Sequence, residues 1–281
     1  IPGLNLIQLS DGALHIGALV TLDAIDRDAT VRARYQALAE AAGLAASPQL
    51  RNMGTLGGNL GQESRCWYYR NADFPCWLKG GDTCFARAGD NSHHAIFTTD
   101  SPCVSVHPSD PATALLALDA VVRIQGPGGE RRLPIAEYLT LPQPDHRRLN
   151  ALGPADLIVG VELPHANPEQ TRSRYLKAMD RAAWSFALVG IAVSITWAGA
   201  DRSGPIERVA VALGGVAPVP RRAAAAEAYL AGKTLDIATA AEAGRLACEG
   251  AVPLEHNAYK VRLLGGLVGR ALLQTAGVAE A

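Results

Sequence analysis

Apolar and polar residues alternate through NLIQLSDGALHIGALVTL around Asp11 and Gly12, a pair suited to the positive-φ positions of a hairpin turn, so two strands are predicted there. From Thr30 to Leu44 the spacing turns helical, with Val31, Tyr35, Leu38, Ala41 and Ala42 as the apolar positions and Gly43 as a natural end. A shorter helix is expected to start near Ser47, with Pro48 at its first position. Pro111 to Ala120 reads as helix, and VVRIQG with RRLPIAEYL reads as strand, turn, strand and a short helix. Leu141 to Pro154 is rich in Pro, Asp and Arg, has little periodicity and reads as a loop.

Beyond a boundary between Pro164 and Thr171 come three strand candidates, Ser173 to Ala178, Phe186 to Trp197 and Ile206 to Leu213. Three helical patterns follow, ending in YKVRLLGGLVGRALLQTA, and strands first with helices afterwards argue an α+β domain. Phe186 to Ala198 is the longest apolar candidate for a membrane span. It is broken by Gly190, Ser194 and Thr196 and falls short of the roughly 18 to 20 residues required, so it reads as a buried strand. The run RRAAAAEAYLAG is a strong helix former.

The length of 281 residues and a hydrophobic share of 48% suit about two domains with filled cores. Lys and Arg number 26 against 27 Asp and Glu, a net charge of -1, so no global field draws the chain to nucleic acid or to an anionic membrane. Neither is expected as a partner.

Chemistry concentrates between Arg51 and Asp110. In GTLGGNL, Gly57 and Gly58 let backbone N–H groups converge on phosphate oxygens, with Thr55 and Asn59 adding short polar groups; paired glycines also serve as a tight turn or close backbone contact. Cys66, Cys76, Cys84 and Cys103 follow, separated by nine, seven and eighteen residues in a stretch rich in Gly, Asp, Asn and Pro. Spacing leaves an iron-sulfur cluster, a zinc site and two disulfides open, although CxxC, usual in zinc sites, is absent. Trp67, Tyr68, Tyr69, Trp77 and Phe85 could shield a cluster from water or serve as core anchors. His93, His94 and His107 form no HExxH and read as loop histidines, and Cys248 reads as a buried structural residue.

Taken together, TLGGN, RCWYYRN, the four cysteines, HPSDPATALLALDA and ALGGVAPVPRRA resemble the FAD-binding medium subunit or domain of molybdenum hydroxylases, over essentially the whole chain. That family includes flavin subunits of carbon monoxide dehydrogenase, xanthine dehydrogenase and aldehyde oxidoreductases. The resemblance implies an α+β fold: a PCMH-type FAD-binding domain over residues 1–167, with a cysteine insert at 64–104, then residues 168–281 as a three-stranded antiparallel sheet with a helical bundle. It implies an oxidoreductase subunit that relays electrons while a partner transforms the organic substrate.

By the same resemblance, Thr55, Leu56, Gly57, Gly58 and Asn59 would hold the FAD diphosphate, and Asp110 would bond the cofactor's polar atoms. Val159 would lie against the isoalloxazine ring and Lys177 near its polar edge; considered alone, Lys177 reads as a solvent-facing strand residue and Asp110 as a helix N-cap. The flavin subunits of 4-hydroxybenzoyl-CoA reductase and periplasmic aldehyde oxidoreductases carry a 4Fe-4S cluster on comparable cysteines. The chain looks like that subgroup, with Cys66, Cys76, Cys84 and Cys103 as ligands.

Implied partners are a large molybdopterin subunit, a small subunit with 2Fe-2S clusters and an external electron carrier. The rival reading is a zinc-stabilised interaction module without enzymatic activity. The family's first βαβ segment, with its AGGTDL-like loop, is not found here, so a fragment or split form with weakened FAD affinity is expected. The expected compartment is the cytoplasm, with the periplasm as the alternative if the chain is exported with a partner subunit.

Overall fold

The computed structural model describes residues 1–279 apart from 182, 201 and 203. The expected hairpin forms: β1 (Ile7–Ser10) and β2 (Ala13–Gly17) pair antiparallel, and Asp11 and Gly12 take φ of 51° and 77°. The helix predicted over Thr30 to Leu44 is divided. After α1 (Leu22–Arg27), capped by Thr21, come α2 (Ala29–Arg34) and α3 (Gln36–Gly43), with the break at Tyr35. Tyr35 is buried and its hydroxyl donates to the Pro164 carbonyl at 2.8 Å, an anchor that holds the residue at φ -134° and ψ 49° and redirects α3 against the second half of the chain.

The short helix α4 (Pro48–Met53) starts where predicted, the Ser47 hydroxyl accepting from the Leu50 N–H. It is followed by α5 (Leu56–Leu60), α6 (Trp67–Arg70), α7 (Asp110–Ala117), β3 (Val121–Gly126), β4 (Gly129–Pro134), α8 (Ile135–Tyr138) and β5 (Leu157–Leu163). The first sheet is antiparallel, in the order β1-β2-β5-β3-β4.

The second half holds β6 (Thr171–Ala178), β7 (Val189–Trp197), β8 (Ile206–Gly214) and β9 (Arg221–Arg222), then α9 (Ala224–Leu230), α10 (Ile237–Leu246) and α11 (Tyr259–Ala276). This sheet has four strands rather than the expected three. The chain leaving β8 turns back and pairs Arg221 and Arg222 with Leu213 and Ala212, a run too short to show alternation. Strand β7 begins at Val189, and Phe186 stays exposed in the preceding loop. Helices α10 and α11 cross closely at Gly244 and Gly265, where a Cβ on Gly244 would run into the Gly265 carbonyl. Helices α3 and α7 pack on β6 to β8, so one core joins Leu38 and Leu115 to Tyr175, Ala192 and Ala212. Among the described residues no helix is long and apolar enough to cross a membrane.

The segment 64–104 is mostly irregular, containing α6 and two 3-10 turns, Trp77–Lys79 and Phe85–Arg87. Hydrogen bonds tie it to the rest of the chain. Ile96 N–H donates to Val216, Val252 N–H donates to Ile96, and the Asn257 amide donates to the His94 and Ala95 carbonyls. Arg87 spans the carbonyls of Thr98, Ser101 and Pro102, while Arg147 donates to those of Trp77 and Gly81 and stacks 4.6 Å from the Trp77 ring.

Candidate functional site

The glycine turn is the opening of α5. Leu56 and Gly57 donate their N–H groups to the Val20 and Ala18 carbonyls at 2.9 Å, and Asn59 donates to the Thr55 carbonyl at 2.8 Å. Three of the backbone donors expected to face a diphosphate are therefore engaged inside the chain. The Gly58 N–H makes the longest bond, 3.3 Å to the Thr55 hydroxyl. Gly57 answers a packing demand: a Cβ there would lie 2.9 Å from the Ala18 Cβ, whereas one on Gly58 would meet only the Thr55 hydroxyl, at 3.2 Å. Val159, buried in β5, accepts the Ala18 N–H at 3.1 Å and so stands behind the same turn.

Asn59 links this turn to α7, since the Ser109 hydroxyl donates to its Oδ1 at 2.5 Å. Ser109 is the N-cap of α7, accepting the Ala112 N–H at 3.0 Å, so the capping role considered for Asp110 belongs to its neighbour. Asp110 instead receives the Tyr175 hydroxyl at 2.5 Å and the Lys177 Nζ at 2.8 Å. The Lys177 side chain is wholly buried and also donates to the Leu44 carbonyl at 2.9 Å, which corrects the solvent-facing reading. Burial raises the Asp110 pKa, and the Lys177 ammonium and Tyr175 hydroxyl pull it back. Burial and the adjacent carboxylate push Tyr175 well above the ordinary phenol range.

Asp110 lies on a cleft of about 740 Å³, counting its open mouth, whose walls include Cys66, Trp67, His94, His107 and Phe186. The Nδ1 of His107 accepts the Ser109 N–H at 3.3 Å, and burial pushes its pKa down to about 4. With Nδ1 accepting, a neutral ring carries its proton on Nε2. Behind the cleft the buried Lys260 donates to the carbonyls of His94 at 2.9 Å and Gly215 at 2.5 Å; burial lowers its pKa to about 7. Sequence reasoning missed Lys260, although the four-residue series Lys260, Leu264, Val268, Leu272 marks it as a core position of α11.

Cys66, Cys76, Cys84 and Cys103 line one pocket, about 290 Å³ counting its open mouth, together with Tyr68, Tyr69, Trp77 and Phe85. All five cysteines are free thiols. A hydrogen bond from Cys103 lowers the Cys84 pKa, helped by Arg87, while that bond and burial raise Cys103 well above the usual thiol range. The Cys66 sulfur lies 3.2 Å from Nε2 of His94, whose pKa burial pushes down to about 4. Cys66 also borders the cleft, so it stands on the wall between the two cavities. Among the described residues, no group of three or more His, Cys, Asp or Glu side chains is placed to hold a metal ion, the four cysteines Cys66, Cys76, Cys84 and Cys103 included. Cys248 is separate, its thiol donating to the Gly244 and Val261 carbonyls beside the α10/α11 crossing.

A sheet unit with a capped glycine helix and an interior cleft, followed by an antiparallel sheet and three helices, makes up a two-part α+β architecture. Residues 1–166 match the family described as FAD binding domain in molybdopterin dehydrogenase, and residues 174–275 match the CO dehydrogenase flavoprotein C-terminal domain. The chain belongs to the FAD-binding subunits of molybdenum hydroxylase-type oxidoreductases. It is 39% identical over 231 residues to the aldehyde oxidoreductase FAD-binding subunit PaoB of Escherichia coli strain K12, covering 81% of this chain and 70% of that one. It is 28% identical to the 6-hydroxypseudooxynicotine dehydrogenase complex subunit alpha of Paenarthrobacter nicotinovorans, over 97% of this chain and 76% of the relative. Carbon monoxide dehydrogenase from Hydrogenophaga pseudoflava, solved without the Mo-pyranopterin moiety of its molybdenum cofactor, superposes with a TM-score of 0.72 at 26% identity, covering 99% of this chain and 79% of that one.

Proposed function

We propose that this oxidoreductase subunit is an electron relay in which FAD runs from the α5 turn into the cleft and a 4Fe-4S cluster occupies the cysteine cavity. In this reading, residues 1–167 form the FAD-binding domain with its insert at 64–104, and residues 168–281 close the cleft from the other side. Bound flavin supplies two-electron chemistry that can be divided into single steps, and a cluster exchanges one electron at a time.

The chain's own groups support these roles. The Gly58 N–H and the Thr55 hydroxyl are the donors at α5 free to exchange their mutual bond for phosphate oxygens, while Leu56, Gly57 and Asn59 brace the turn and Val159 packs behind it. Asp110 presents a carboxylate held in place by Lys177 and Tyr175, and the Nε2–H of His107 adds a neutral donor on the same wall. Lys177 acts on the cofactor through Asp110, because its own Nζ is committed to that carboxylate and to Leu44.

For the cluster, the observation that carries the reading is the convergence of four thiols on one aromatic-walled cavity, with Cys66 shared by the cleft. Each cysteine of a 4Fe-4S cube binds a different iron, so its ligands surround a volume rather than a point. Soft thiolates without imidazole or carboxylate in the set suit iron-sulfur chemistry. The small 2Fe-2S and large molybdopterin subunits would be the electron-exchange partners, with an external carrier at the far end.

Co-expression with candidate partner subunits, anaerobic purification, and flavin, iron, zinc and molybdenum analysis test the proposal. FAD and iron in a molybdenum-containing complex are expected. Colourless protein holding zinc and no iron would make the cysteine cavity a structural zinc module.

A further inference from the structure

Cys66 differs from the other three cysteines in having an imidazole against its sulfur. His94 Nε2 lies 3.2 Å from that sulfur, inside hydrogen-bond range for a sulfur acceptor. Two aromatic rings flank the imidazole. Trp67 meets it edge-on at 4.9 Å between centroids, Tyr68 stands at 6.1 Å, and the residue is 3% exposed. Its main chain is fixed as well, with the N–H on the Asn91 carbonyl and the carbonyl taken by Asn257 and Lys260. The other ring nitrogen, Nδ1, is buried without a partner.

Iron on Cys66 would fix the tautomer of this contact. A thiolate bound to iron has no hydrogen to give, so a bond between it and His94 requires the proton on Nε2. Nδ1 is then an acceptor without a donor. His94 lines the cleft as Cys66 does, so their contact lies on the wall of the space assigned to flavin.

We propose that His94 is a positioning residue that sets the potential of the cluster by donating its Nε2–H to the Cys66 sulfur at the wall shared with the flavin cleft. The inference rests on the cluster reading above. Reduction adds negative charge to the cluster and its ligand sulfurs, and a fixed donor stabilises that charge, so it raises the midpoint potential. A hydrogen bond to a charged acceptor is large enough to shift electron partition about tenfold, equivalent to about 59 mV for one electron.

The test is an EPR-monitored redox titration of wild-type, His94→Phe and His94→Gln protein after anaerobic iron and sulfide reconstitution. His94→Phe keeps the aromatic contact with Trp67 and removes the donor, so its cluster should be about tenfold harder to reduce. His94→Gln reaches the same sulfur with an amide N–H and should return to within about threefold of wild type. An intact cluster in His94→Phe with an unchanged midpoint overturns the role of His94 and leaves the cluster reading standing. Wild-type protein without an iron-sulfur signal removes the cluster reading and the inference with it. Should His94→Phe fail to hold a cluster, pulsed EPR of the reduced wild-type protein carrying ¹⁵N-histidine decides: a histidine nitrogen coupled to the cluster supports the bond, and its absence overturns it.

Discussion

Replacing Asp110 with Asn removes one charge from the inner wall of the cleft while keeping its shape. Lys177 would then hold an ammonium with 0% side-chain exposure against the Leu44 carbonyl at 2.9 Å, the Trp184 ring 5.8 Å away and whatever the new amide offers. That amide has one oxygen for two donors, Tyr175 and Lys177, and its NH₂ must face one of them. Breaking a buried pair from one side costs about 3 to 5 kcal/mol, out of a total stability of about 5 to 15 kcal/mol. Lys177→Met strands the carboxylate instead and falls in the same range. The double variant strands neither charge, so its loss should be smaller than the sum of the two single losses by about 2 kcal/mol or more. Urea unfolding of the three variants near neutral pH, followed by circular dichroism, supplies the cycle. An Asp110→Asn loss under about 1 kcal/mol, or single losses that add, would refute the view that this ion pair organises the wall.

Gly57→Ala drives a Cβ to 2.9 Å from the Ala18 Cβ and should cost about 1 to 3 kcal/mol, whereas Gly58→Ala should cost less; equal losses in thermal unfolding would contradict the packing account. Arg147→Ala frees the Trp77 and Gly81 carbonyls, so amide hydrogen exchange over residues 76–81 should accelerate about tenfold while exchange in β7 stays unchanged. Lys260 binds fewer protons folded than unfolded between its lowered pKa of about 7 and the ordinary lysine value, so its burial penalty is full below about pH 7 and relaxes as pH rises. Wild-type stability measured relative to Lys260→Met should therefore climb from about pH 7 towards pH 10, by at most about 1.4 kcal/mol per unit; a flat difference in urea midpoints would rule this out. Cys248→Ser should leave iron content unchanged, while Cys103→Ser should reduce it; equal effects would show that the cavity has no special role.

Local signals carried much of the fold. The Asp11-Gly12 turn, the Ser47 and Pro48 helix start and the three long strands of the second sheet all depend on neighbours a few residues apart. What was illegible depends on distant partners. The break at Tyr35 follows from a bond to Pro164, and β9 exists because β8 offers it an edge. The same division runs through the site. Four cysteines in one segment advertised a shared role, but only folding reveals that Cys66 also borders the cleft and touches His94, 28 residues away. The paired glycines suggested an open phosphate cradle, yet Gly57 is required first by its contact with Ala18. Asp110 and Lys177 were singled out separately by resemblance, and the structure brings them together as one buried pair.

EPR spectroscopy of anaerobically prepared, dithionite-reduced protein, combined with iron and acid-labile sulfide analysis, tests the central claim most directly. The account predicts a 4Fe-4S signal with about four iron and four sulfide per chain, lost when Cys66, Cys76, Cys84 or Cys103 is replaced by Ser. An EPR-silent protein that binds zinc, or one whose cysteines are oxidised to disulfides after purification under the same conditions, would contradict it.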